Sequence, residues 1–167
     1  MIDGALAAKK NTHYLRVVID LFGNITLTGT WTADENPVVQ VIFKQKIVGV
    51  LAICYYLKMV LPFLAKTFNF TRYNAVAHSI GAPSVIRTEM KTKRKRKFPR
   101  LNKVVLIAGP FNGVTYLGDI PNVNTLTQNG RPILMNTSFV SMMLSRRNFA
   151  QDIAVLNIYG NIEDETN

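Results

Sequence analysis

A run of strand-forming residues, Tyr73-Asn74-Ala75-Val76, leads straight into Ala77-His78-Ser79-Ile80-Gly81, and a helix-compatible run follows. A chain in this order has to turn from strand to helix within a few residues of Ser79. Small residues two before and two after the serine, here Ala77 and Gly81, are what so cramped a turn demands, because larger side chains would collide. The bend lifts the serine Oγ off the carboxyl end of a sheet, and the N–H of Ile80 points to where a developing oxyanion would lie. The following helix adds the positive end of its dipole. Pro83 falls among the first four helical positions, whose N–H groups have no intrahelical partner, so the helix tolerates it. The competing reading is an ordinary strand-to-helix turn, where small residues are common whatever the chemistry.

The rest of the chain supplies the context for that turn. Tyr14 to Asp20 and Asn24 to Trp31 flank Leu21-Phe22-Gly23, and their β-branched and aromatic content predicts a hairpin. Val38 to Phe43 follows Pro37 as a further strand, and a helix is predicted from about Val48 to Thr67. Beyond the turn, Lys103-Val104-Val105-Leu106-Ile107-Ala108 is an apolar run ended by Gly109 and Pro110, which suits a strand buried on both faces of a parallel sheet. Val155 to Tyr159 reads as a last strand, and Thr137 to Arg147 carries apolar residues at helical spacing. Helices alternating with strands make this an α/β chain with a parallel sheet of at least four strands. At 167 residues and 48% hydrophobic, it can bury a core and is not compositionally disordered.

The segment from Ile47 to Ala65 holds a single charge, Lys58, and approaches membrane-spanning length. Pro62 inside it, Lys46 and Lys66 at its ends, and its place before the elbow strand favour a buried crossover helix over a membrane segment. The single cysteine, Cys54, lies in this apolar run and reads as a core thiol, so no intrachain disulfide is expected.

"NAVAHSIGA", "LNKVVLIAGPFNGV" and "IAVLNIYGNIEDETN", with "GNITLTGTWTADENPVVQVIF" before them, together resemble the cell-surface α/β-hydrolases of Gram-positive bacteria, a group defined mainly as a domain of unknown function. The likeness runs from about Leu15 to Asn167, and the Ser79 elbow and "IAGPFNG" are its most specific parts. It implies an α/β-hydrolase-like three-layer core with an N-terminal β-hairpin, in one domain over residues 1–167. It further implies a serine hydrolase of carboxylesterase or lipase type, with Ser79 as nucleophile and the Ile80 N–H as oxyanion donor. Family members begin with an apolar strand and a His-Gly-containing loop, and end with an acid loop and a later catalytic histidine. On this comparison the chain starts after the first and stops before the others, so it is expected to be truncated and catalytically incomplete. The resemblance implies a cell-surface or secreted setting, although Met1-Ile2-Asp3-Gly4-Ala5 has no signal-peptide pattern.

Only His13 and His78 are available as bases. His78 precedes the serine on a strand whose successive side chains point opposite ways, and His13 lies in a polar segment, so neither is assigned the role. Asp164 is the candidate acid, following the strand-like Val155 to Tyr159, with a plain loop residue as its alternative. A serine hydroxyl is a poor nucleophile until a positioned imidazole takes its proton.

Val114 to Arg131 is rich in Gly, Asn, Thr and Pro, and residues 110–135 form a possible cap loop beyond a strand's carboxyl end. Phe111, Tyr116 and Leu117 are candidates to line an acyl-binding site, or else anchors of the loop on the core. Nothing resembles a phosphate-binding glycine loop, and two histidines with one cysteine give no metal-ligand cluster, so no cofactor or metal is expected.

The net charge is +10, and residues 91–100 carry seven of the twenty basic side chains and no acid, leaving +3 for the rest. Lys91, Lys93, Arg94, Lys95, Arg96, Lys97 and Arg100 form this run at the expected end of the elbow helix, where cations suit the dipole. A solvated connection is the first reading, contact with an anionic surface the second, and nucleic acid the third, because only Phe98 is aromatic there. The alternative to a hydrolase is accordingly a non-catalytic module that binds anionic surfaces through this loop.

Overall fold

The computed structural model describes residues 13–32, 36–45, 49–93, 95–115, 118–119 and 123–160. They fall into two compact units, residues 1–48 and 49–167.

In the first unit, β1 (Leu15–Ile19) and β2 (Ile25–Gly29) form the expected hairpin, antiparallel with Leu15 opposite Gly29 and Ile19 opposite Ile25. Asp20 builds the turn. Its carboxylate accepts the backbone N–H groups of Phe22 and Asn24 at 2.9 and 2.8 Å and the Asn24 side-chain amide at 2.8 Å, while Gly23 takes a φ of 85°. These hydrogen bonds, the Asn24 side chain foremost, hold the Asp20 carboxyl below its ordinary pKa. β3 (Val39–Phe43) pairs parallel with β1 on its other side, giving the order β2-β1-β3. Alternation along β1 buries Leu15, Val17 and Ile19 on one face.

The second unit carries the elbow. Its first element is α1 (Val50–Phe68), which ends on Asn69 in the left-handed conformation at φ 52°. By length and composition α1 is the one helix among the described residues able to cross a membrane. One face of it is buried, with Ile53, Tyr56, Leu57, Val60, Leu61 and Leu64, and Cys54 lies on that buried side as expected. Leu51, Tyr55, Met59 and Phe63, four residues apart, form its exposed stripe.

β4 (Arg72–His78) leads to α2 (Gly81–Thr92), followed by β5 (Arg100–Ile107), the short paired segments β6 (Val114–Thr115) and β7 (Gly118–Asp119), α3 (Thr137–Leu144), a 3-10 turn (Arg146–Asn148) and β8 (Ala154–Ile158). β4, β5 and β8 form a parallel sheet in that order. Among the described residues β3 pairs with β1, and the sheet holding the elbow has these three strands. The β4-β5-β8 sheet is wholly parallel and the β2-β1-β3 sheet is mixed, and the α/β class, the N-terminal hairpin and the strand-turn-helix order are borne out.

Asn102 is an extra residue opposite the Tyr73–Asn74 step, and its side-chain amide donates to the Asn74 side chain at 3.2 Å. This bulge resets the alternation of β5, so that Leu101, Val104 and Leu106 share the buried face. Lys103, Val105 and Ile107 lie on the other face, exposed or half-buried, so β5 is fully covered on one side only, against the expectation of two buried faces. The covered side packs with Ala77, Ala82, Ile86 and Ile153 in one apolar cluster. Each large aliphatic side chain buried there contributes about 1.5–3 kcal/mol. The buried side of α2 also carries Ser84, Thr88 and Thr92, whose hydroxyls donate to the carbonyls of Ile80, Ser84 and Thr88 at 2.7, 2.7 and 2.8 Å. Back-bonding of this kind satisfies buried hydroxyls within their own helix.

Candidate active site

Ser79 is the residue on which the strand becomes a helix. Its φ is 52°, a left-handed backbone that costs a non-glycine residue about 1–2 kcal/mol. Two hydrogen bonds pin it there: the Ser79 N–H donates to Ile107 O at 2.9 Å, continuing the β4–β5 ladder, and the Ala82 N–H donates to Ser79 O at 2.9 Å, opening the helix. Ile80 then adopts φ −56° and ψ −20°, already helical.

A Cβ built on Gly81 would lie 3.8 Å from Ala77 Cβ, which is ordinary contact. The two positions therefore face each other as expected, with room for one methyl and little more. The tighter constraint lies elsewhere. A Cβ on Gly109 would fall 2.8 Å from Ala82 Cβ and 2.7 Å from the Phe111 ring, so the end of β5 is pressed against the first turn of α2 with Phe111 folded over it. Ala108, just before, has a φ of 47°.

The Ser79 side chain is half-buried, and among the described residues no side chain hydrogen-bonds its hydroxyl. The Ile80 N–H makes no backbone hydrogen bond among them either, and no acidic residue in the first turn of α2 offsets the helix dipole. This arrangement offers an accessible hydroxyl next to a backbone donor and the positive end of a helix. His78 is exposed and makes no hydrogen bond to Ser79; His13 is an exposed residue of the first unit. Among the described residues no group of three His, Cys, Asp or Glu side chains is placed to hold a metal ion.

The family described as alpha/beta hydrolase of unknown function (DUF915) matches residues 1–167. The chain belongs to this family. No curated protein matches it. A solved structure of the lin2722 gene product of Listeria innocua superposes on this chain with a TM-score of 0.80 at 20% identity, over 92% of this chain and 60% of the other. A structure from Lactobacillus plantarum WCFS1, described as a "putative cell surface hydrolase", does so with a TM-score of 0.76 at 19% identity, over 98% of this chain and 63% of the other. The present chain thus spans about three fifths of the length of either structure.

Within the fold, Phe111 is half-buried and packs on the cluster that contains Ala77 and Ala82, beside the elbow. Tyr116, Leu117 and Asp164 lie outside the described residues. Asn112, which no sequence pattern singles out, ties the following loop to the elbow's neighbour. Its amide donates to Leu134 O at 2.8 Å and its carbonyl accepts the Asn136 N–H at 3.0 Å. Asn124 repeats the clasp on Leu134, donating to its carbonyl and accepting its N–H, each at 2.9 Å. The "FNG" in the motif was the only linear hint.

A second polar constellation lies at the opposite end of the strands. Glu89 on α2 is 1% exposed, beside the start of β5. Burial raises its pKa above the ordinary 4.5, against the lowering pull of the Leu101 backbone and of Arg100. Glu89 Oε2 and the Tyr73 hydroxyl are buried without hydrogen-bond partners, and burial together with the Glu89 charge pushes the Tyr73 pKa up. Glu89 borders a cleft of about 270 Å³ with Arg72, Arg100 and Asp152.

Proposed function

We propose that this protein is a serine-dependent hydrolase of acyl esters, with Ser79 as nucleophile. The observation that carries the reading is the Ser79 backbone at φ 52° between β4 and α2, beside an unclaimed Ile80 N–H. Ser79 Oγ attacks the acyl carbonyl while its proton passes to a base, and the carbonyl oxygen becomes an oxyanion at the Ile80 N–H. Collapse expels the alcohol, which takes a proton, and water then releases the acid from the acyl-serine. Exposed Leu126, Ile133, Leu134 and Met135 on the loop clasped by Asn112 support an apolar acyl group as the substrate class. The name of the Lactobacillus plantarum relative supports a cell-surface setting.

Among the described residues no side chain hydrogen-bonds the Ser79 hydroxyl. Covalent capture is therefore the direct measurement. A fluorophosphonate probe should label the folded protein, and the label should vanish in Ser79→Ala. No labelling of a folded sample, or equal labelling of both proteins, would overturn the assignment and leave the binding-module alternative.

A further inference from the structure

We propose that the surface made by residues 91–93 and 95–97 and the 3-10 turn Arg146–Asn148 is a docking site for an anionic lipid bilayer. In sequence the two stretches are far apart. The Lys93 ammonium joins them by donating to Arg147 O at 3.1 Å across a separation of 54 residues. Arg146 and Arg147, which no charge run announces, are thereby added to the cationic segment.

The segment is built as a platform. The Lys95 N–H donates to Thr92 O at 2.8 Å, the Phe98 N–H donates to Lys95 O at 3.0 Å, and Phe98 is buried. Pinned at both ends, the turn leaves Lys91, Lys95, Arg96 and Lys97 exposed, as are Arg146 and Arg147. Arg72 and Arg100 border the cleft with Glu89 and Asp152, so part of their charge is offset and they stand outside the site.

Two features select a bilayer over other polyanions. Leu144, at the end of α3 and two residues before Arg146, is 82% exposed, an apolar anchor that phosphates alone would not use and a lipid interface would. Phe98, the one aromatic ring of the run, is buried and so not available to stack on bases, which removes the usual partner of a cationic groove for single-stranded nucleic acid. The platform lies at the C-terminal end of α2 and Ser79 at its N-terminal end. With 12 residues the helix is about 18 Å long, so a docked protein keeps the serine away from the docked surface. The docking proposal stands whether or not Ser79 proves reactive.

The test is co-sedimentation of the full chain with vesicles of phosphatidylglycerol and phosphatidylcholine, against vesicles of phosphatidylcholine alone, over a range of salt. Binding is expected to the anionic vesicles and to weaken as salt rises. Arg146→Gln with Arg147→Gln should weaken it roughly 30-fold. Leu144→Ser should weaken it several-fold without changing the salt dependence. Lys103→Gln with Arg131→Gln, an equal loss of charge elsewhere, should leave binding within a few-fold, and circular dichroism should be unchanged throughout. Equal binding to both vesicle types, or an Arg146/Arg147 pair no weaker than the control pair, overturns the proposal. So does tighter binding to inorganic polyphosphate combined with no effect of Leu144→Ser, which would make the surface a site for a soluble polyanion.

Discussion

Gly109 and Ala82 are pressed together, so that a single methyl added to the glycine would come within 2.8 Å of the alanine Cβ. One residue closes β5 and the other opens the helix behind Ser79. Their contact fixes the distance between the "IAGPFNG" loop and the elbow, and hence the position of Phe111 beside it.

Gly109→Ala should therefore be costly, by about 1–3 kcal/mol, because neither the Ala82 backbone nor the Phe111 ring can yield without displacing the core cluster. Gly81→Ala, whose methyl would meet Ala77 at 3.8 Å, should stay within about 0.5 kcal/mol of the parent. Urea denaturation of the two variants checks this; equal costs would show that the steric centre of the turn has been misplaced.

The left-handed backbone of Ser79 is a local strain held by its two hydrogen bonds. Ser79→Gly should relieve it and raise stability by about 1 kcal/mol, while Ser79→Ala should leave stability near the parent value. Thermal melts of the three proteins make the comparison. A glycine variant less stable than the alanine variant would contradict the strained elbow.

Asn112→Ala removes both clasps on the 134–136 backbone. A loss on the order of 1 kcal/mol is expected, with faster proteolysis and hydrogen exchange confined to the loop from Val123 to Asn136. Unchanged exchange there would show that Asn124 alone suffices.

Glu89 has its pKa raised by burial, so the folded protein holds that proton where the unfolded chain has released it. The corresponding stability is fully present below about pH 4.5, the ordinary value, and is lost as pH rises through the raised one. Glu89→Gln should flatten this slope and raise the melting temperature at pH 8 by about 2–4 °C relative to the parent, with a smaller difference near pH 4. Melting curves at the two pH values decide it, and an equal shift at both would exclude titration of Glu89 as the cause.

Local rules are written where the chain can be read in order. Ala77 and Gly81 at the right spacing, an apolar strand before them and a tolerated Pro83 after them announce the elbow, because the sterics of a tight turn involve only neighbours. The hairpin around Asp20 to Asn24 and the length of α1 were legible for the same reason. Coverage of β5 was not, since the Asn102 bulge and the helix on one face settle which residues are buried. Nor was the clasp of Asn112 on residues 134 and 136, the burial of Glu89 beside Tyr73, or the meeting of Lys93 with Arg147. Order along the chain was enough to say where strand turns to helix and which serine stands at the turn. That Gly109 abuts Ala82 and that Lys93 meets Arg147 emerged from the folded chain alone, because such contacts depend on how separate elements pack and not on any residue's near neighbours.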